Sequence, residues 1–138
     1  MSQNSSQNNN IQELELNQKV LEKKQALVLE KLQKDDHEGL TQLLEHGVVE
    51  VDMALNEIGM TAMHVLCSIF NERLQWMMHT LLKHKADPNK QDVHGRTPIH
   101  FAASSGNVVA LTYLIRNCKD LNLNLRSTGG ETALFKAI

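Results

Sequence analysis

Seven histidines, two cysteines and sixteen carboxylates are the residues in this 138-residue chain that could ligate a metal or move a proton. Their spacing argues against both. His79 and His84 are five residues apart and His37 and His46 nine, whereas a helix presents two imidazoles to one ion at i,i+3 or i,i+4. Cys67 and Cys118 form no Cys-x-x-Cys pair, and two cysteines make no disulfide framework. Asp35 and Asp36 are adjacent in a polar stretch and are expected to be solvated. No Gly-x-Ser-x-Gly elbow, phosphate-binding loop, dinucleotide fingerprint or kinase signature occurs. The expectation is therefore no catalytic residue, no metal and no cofactor. His64 and His100 stand apart because they occupy equivalent positions, each three residues after a threonine.

The elements around those two histidines explain the equivalence. In the stretch 92–106, Asp92 and Gly95 supply turn chemistry, with glycine free to take positive φ. Thr97 offers its hydroxyl to the unpaired amides of a helix start, and Pro98 fits the first helical position. Ile99, Ala102 and Ala103 give a short helix a narrow apolar stripe that Gly106 can end. So thin a helix cannot bury a core alone, and copies of it are present. Gly59-Met60-Thr61-Ala62 precedes it, Gly130-Glu131-Thr132-Ala133 follows, and the three threonines recur 36 and 35 residues apart. A period in the thirties is the signature of a stacked array.

After Gly106, Asn107, Val108, Ala110, Leu111, Tyr113, Leu114 and Ile115 fall at the spacing of a second helix, closing with Lys119-Asp120-Leu121-Asn122. Leu81-Leu82-Lys83-His84-Lys85-Ala86-Asp87-Pro88-Asn89 is the matching close one unit earlier. With these residues the chain resembles the ankyrin-repeat family, whose unit is a β-turn finger followed by two antiparallel helices. The resemblance implies an all-α solenoid of ankyrin repeats carrying an N-terminal helical extension. Departures are concentrated in one unit: Ala62 stands for the family's proline, Leu66 and Cys67 for its paired alanines, and about three extra residues lie in 70–74. By the same resemblance His64 and His100 tie neighbouring turns together, and Cys67 is an inert core thiol. Cys118 takes the place of a helix-ending glycine and is expected to be the more exposed and reactive thiol. Asn89 and Asn122 would stabilise fingers, a position that in the family can also be hydroxylated.

The expected organisation follows. Residues 1–10, almost purely Ser, Asn and Gln, have nothing to bury and are expected to be disordered. Residues 11–34 form an amphipathic helix, with Leu14, Leu21, Val28 and Leu32 on one side, whose end serves as the first helix of a capping repeat. Residues 35–55 complete that cap, 56–91 make the repeat with the insertion, 92–126 the regular repeat, and 127–138 the start of an incomplete one. Gln18 and Gln25 interrupt the stripe and argue against a clean coiled-coil seam. Self-association through this helix or through the uncapped C-terminal repeat remains an expectation to test, and the incomplete repeat suggests a fragment of a longer array.

Bulk properties narrow the function. A net charge of −2 with 4% aromatic residues provides neither a basic face nor a stacking platform for nucleic acid. No apolar run approaches the roughly 20 residues needed to cross a bilayer, and the polar N-terminus lacks a signal-peptide pattern. A cytoplasmic setting is expected. The resemblance implies a non-enzymatic interaction module that binds a protein on its concave finger and first-helix surface. Position matching puts Glu57, Ile58, Met60, Ser68 and Ile69 there, then Gln91, Val93, His94, Arg96, Ser104 and Ser105, then Arg126 and Glu131. Replacing His94 and Arg96 by alanine is expected to spare stability. The other reading is a regulatory or targeting segment of a larger protein, such as a channel, kinase or ubiquitin-ligase subunit.

Overall fold

The computed structural model describes the backbone of residues 2–71 and 73–137 and the side chains of 8–71 and 73–136. Among them are seven helices: α1 (Ser2–Gln33), α2 (His37–Glu45), α3 (Ala62–Ser68), α4 (Leu74–Lys83), α5 (Pro98–Ser105), α6 (Val108–Asn117) and α7 (Ala133–Ala137). They stack in two layers. The end of α1 packs on α3, α3 on α5 and α5 on α7; the second layer runs α2, α4, α6. Three fingers, between α2 and α3, α4 and α5, and α6 and α7, connect the layers.

One apolar core runs along the stack, because each short helix contributes only a few side chains to it. Val28 and Leu32 of α1, Leu40 of α2, Met63, Leu66 and Cys67 of α3, Met77, Met78 and Leu81 of α4, Ile99 and Ala102 of α5 and Ala110 and Leu114 of α6 are all buried. Small Ala102 and Ala110 let α5 and α6 approach closely. In the second repeat Leu66 and Cys67 fill the same layer with larger side chains, and helix α3 ends at Ser68 rather than running on.

Local chemistry explains the helix boundaries. Asp36 caps α2 by accepting the Gly39 N–H at 2.8 Å and pairs with Lys31 at 3.1 Å. Asn107 caps α6 by accepting the Ala110 N–H at 3.2 Å. Gly106, at φ +69°, ends α5 in the left-handed conformation that glycine adopts without strain. Helix α1 departs from expectation at its start. Residues 2–10 are helical, where their composition had suggested disorder, and no Gly or Pro occurs in the first 33 residues to break the run. Among its described side chains, full burial begins at Val28.

Candidate functional site

Each finger is closed across its base by a backbone hydrogen bond: Leu55 N–H to the Met60 carbonyl (2.7 Å), Asp92 to Arg96 (2.9 Å) and Ser127 to Glu131 (2.9 Å). Neighbouring fingers are then tied edge to edge. The Val93 N–H donates to the Ile58 carbonyl and the Thr128 N–H to the His94 carbonyl, both at 2.8 Å. Three turns of little intrinsic stability thus become one row. Gly95, at φ +73°, sits where a Cβ would lie 3.1 Å from the Arg126 carbonyl oxygen and from the Cα of Ser127. The close approach of the third finger therefore requires glycine there twice over, by conformation and by space.

The two equivalent histidines join the row to the helices. The ring Nδ1 of His64 accepts from the Thr61 N–H at 3.1 Å and lies 2.9 Å from the Thr61 hydroxyl. Its Nε2 is 2.9 Å from the Arg96 carbonyl in the next finger. An Nδ1 that accepts an amide proton is unprotonated, so Nε2 carries the proton and donates it. His100 repeats the arrangement with Thr97 (3.1 and 2.7 Å) and with the Glu131 carbonyl (2.9 Å). Burial pulls the His64 imidazole below its ordinary value, with the Arg96 carbonyl opposing. Both ring nitrogens are thus taken up in ties between turns, and among the described residues no three His, Cys, Asp or Glu side chains gather.

Asp92 and Arg96 form the second tie. The Asp92 carboxylate is fully buried and accepts from the His94 N–H (2.9 Å), the Arg96 N–H (2.8 Å) and the Arg96 Nε (2.9 Å). Burial works against its charge, but these donors outweigh it and hold the carboxyl below its ordinary value. The Arg96 guanidinium also lies 4.7 Å over the Phe101 ring, which meets His64 edge-on. Arg96 was expected to be a free contact residue whose loss spares stability. It is instead half-buried and committed to two partners, Asp92 and Phe101, because the turn brings its side chain back over the Asp92 carboxylate.

The other expected contact residues divide by placement. Glu57, Ile58, Gln91, Val93, His94, Ser104 and Arg126 are exposed, with Val93 at 61%. Met60, Ser68, Ile69, Ser105 and Glu131 are half-buried. Ser105 shares its hydroxyl proton between the carbonyls of Phe101 (2.7 Å) and Cys67 (3.1 Å), so it joins α5 to α3. Ser68 turns back on the Val65 carbonyl at 2.8 Å, and Ile69 packs against the core. Gln91 reaches the Gly95 and Arg126 carbonyls at 3.0 and 3.3 Å. The Glu131 carboxylate pairs with Lys136.

Two residues outside that set matter as much. Buried Asn107 donates to the Ile69 carbonyl at 2.9 Å while capping α6, fixing the turn between α5 and α6 to the end of α3. Its place directly after the helix-ending glycine was the only signal in the sequence. Cys118 is the more exposed of the two thiols, as expected, although it is half-buried against the core and burial raises its thiol. Cys67 is fully buried, its thiol pushed up to about 12. No helix among the described residues is long and apolar enough to cross a membrane.

Comparison with known proteins agrees with this geometry. A family model for ankyrin repeats, in three copies, matches residues 66–138. Mouse Rabankyrin-5 is 30% identical over 122 residues, covering 82% of this chain and 10% of its own length; human Rabankyrin-5 is 43% identical over 58 residues, 42% and 5%. The human transient receptor potential cation channel subfamily A member 1 is 30% identical over 109 residues, 75% of this chain and 9% of the channel. The chain thus spans a tenth or less of these relatives. Ankyrin repeats are in general non-enzymatic protein-interaction modules. With its model covering more than half of the sequence, and with threonine, histidine and glycine doing the same work in successive units, the chain belongs to the ankyrin-repeat family.

Proposed function

We propose that this chain is a non-enzymatic protein-binding module whose partner lies across the finger row and the adjoining first helices. The observation that carries the reading is the laddered fingers. Backbone bonds fix the row, and Glu57, Ile58, Val93, His94 and Arg126 stand exposed on it without being consumed by the framework. A rigid row loses little conformational freedom on binding, and exposed Ile58 and Val93 suit a partner with an apolar strip. Met60, Ser68, Ile69, Gln91, Arg96, Ser104, Ser105 and Glu131 would border that surface, with Arg96 and Ser105 acting mainly as its support. The test is affinity for the principal protein captured by the wild-type chain, measured with Val93→Asp/His94→Ala. The double variant should keep its helical circular dichroism and melting temperature and bind about tenfold more weakly, or about 1.4 kcal/mol. Unchanged affinity in that variant, with binding abolished by deleting residues 1–20, would transfer the site to α1 and refute the proposal.

A second reading is supported by the relatives' lengths. The chain resembles short parts of long proteins, among them a cation channel, so the same surface would serve as a regulatory or targeting segment within a larger protein. The two readings share the binding face and differ in whether the partner lies in another chain.

A further inference from the structure

One stripe runs along α1, and its two ends are treated differently by the fold. Ile11, Gln18, Gln25 and Leu32 recur every seven residues, and so do Leu14, Leu21 and Val28 between them, as in the seam of a paired helix. At the C-terminal end the stripe is used up. Val28 and Leu32 are buried in the core, where α1 meets α2 and α3, and the Gln25 Nε2 donates to the Ala54 carbonyl of the first finger at 3.0 Å. Outward of this contact every side chain from 8 to 23 is exposed, including Ile11, Leu14 and Leu21. That is about 24 Å of helix, and a helix of such length is marginal in water without a partner. Gln18 does not break the outer stripe: its Nε2 turns to the Glu22 carboxylate at 3.3 Å, which leaves its methylenes on the seam.

We propose that the outer stripe of α1 pairs antiparallel with the same stripe of a second copy of this chain. Two observations choose that occupant and its direction. The stacked repeats lie on the seam side of α1 from Gln25 onward, so a parallel second copy would bring its own repeats into the same space. The charges of the arm are also divided along its length. Residues 8–15 carry Glu13 and Glu15 and no lysine, whereas residues 17–24 carry Lys19, Lys23 and Lys24 against Glu22 alone. Antiparallel pairing lays the acidic half of each copy on the basic half of the other, and parallel pairing would lay like on like. The contact is then isologous and closes as a dimer. The register that engages all four outer seam residues sets Ile11 opposite Leu21, and Leu14 opposite Gln18, of the second copy. Residues 2–7 reach the second copy's first finger, and their Ser and Asn, weak helix formers, let that end give way there.

The test is sedimentation equilibrium of the full chain over a wide range of concentration. The mass should rise from the 15.6 kDa monomer to that of a dimer and stop there. Leu14→Gln should weaken association about tenfold or more, since each dimer loses two leucines from the seam. The Leu14 side chain is 67% exposed in the single chain, so the melting temperature of the dilute protein should not move. Leu16→Gln, equally exposed but off the seam, should leave association nearly unchanged. Direction is read by oxidising Leu14→Cys and Gln18→Cys chains, both carrying Cys118→Ser. Antiparallel pairing gives a disulfide only when the two are mixed, because position 14 meets position 18, whereas parallel pairing would link each variant to itself. The proposal is overturned by a chain that stays monomeric at every concentration or by a mass that climbs past the dimer. Equal weakening by Leu14→Gln and Leu16→Gln, or single variants that link to themselves, would overturn it as well.

Discussion

Arg96→Ala is the perturbation for which the structure and the family pattern disagree most. Pattern alone makes Arg96 a contact residue whose loss the fold ignores. In the structure its guanidinium is the only side-chain partner seen for the fully buried Asp92 carboxylate among the described residues, at 2.9 Å. Breaking a buried pair by removing one partner costs about 3–5 kcal/mol. Here the guanidinium side chain is 31% exposed and Asp92 keeps two backbone N–H donors, so the pair's share is reduced to about 1.5–2 kcal/mol. Losing the contact over Phe101 adds about 0.5 kcal/mol. The expected total is about 2–2.5 kcal/mol, read as a lower urea midpoint with an unchanged slope. A cycle with Asp92→Asn isolates the pair: the asparagine should cost clearly less in the Arg96→Ala background than in wild type, with a coupling of about 1 kcal/mol or more. An Arg96→Ala midpoint within about 0.3 kcal/mol of wild type would refute the assignment, and Arg96 would return to the binding face.

Three further outcomes follow from the same contacts. Gly95→Val should destabilise by about 2 kcal/mol or more in urea titration, since valine meets both a positive φ and the third finger's backbone at 3.1 Å. Asn107→Ala should cost about 2 kcal/mol and speed amide exchange at Ala110, as it removes a cap and the tie to the Ile69 carbonyl. Because His64 is held below its ordinary 6.5, the stability it confers is present above that value and lost as pH falls through the depressed folded one. Urea midpoints should therefore drop on mild acidification, and the drop should shrink in His64→Gln.

The repeat was legible because its units punctuate themselves. Thr97-Pro98, Gly106 and the 36- and 35-residue recurrence each have a local backbone cause, and such causes survive without tertiary context. The candidate surface was legible by position but not by energetics. Arg96 and His94 are both polar finger residues, and only the folded turn shows that one is committed to Asp92 while the other remains exposed. Ser105 was equally ambiguous, since its tie to the Cys67 carbonyl joins residues 38 apart in sequence. Cys118 was legible in part: replacing a helix-ending glycine makes it the more exposed thiol, while the extended exit from α6 still packs it against the core. The Ser/Asn/Gln start was read from composition, which reports what a segment can bury and says little about whether an adjoining helix continues through it.

The central claim, that the finger row carries the partner, is tested most directly by placing a photo-crosslinking residue at Val93 and, in a separate chain, at Val108. The two sites are similarly exposed, at 61% and 68%, but one is on a finger and the other begins α6 in the second helical layer. The account predicts a discrete adduct with one protein from position 93, suppressed by excess unlabelled wild-type chain, and no such adduct from position 108. A competed adduct from position 108 with none from position 93 would contradict it.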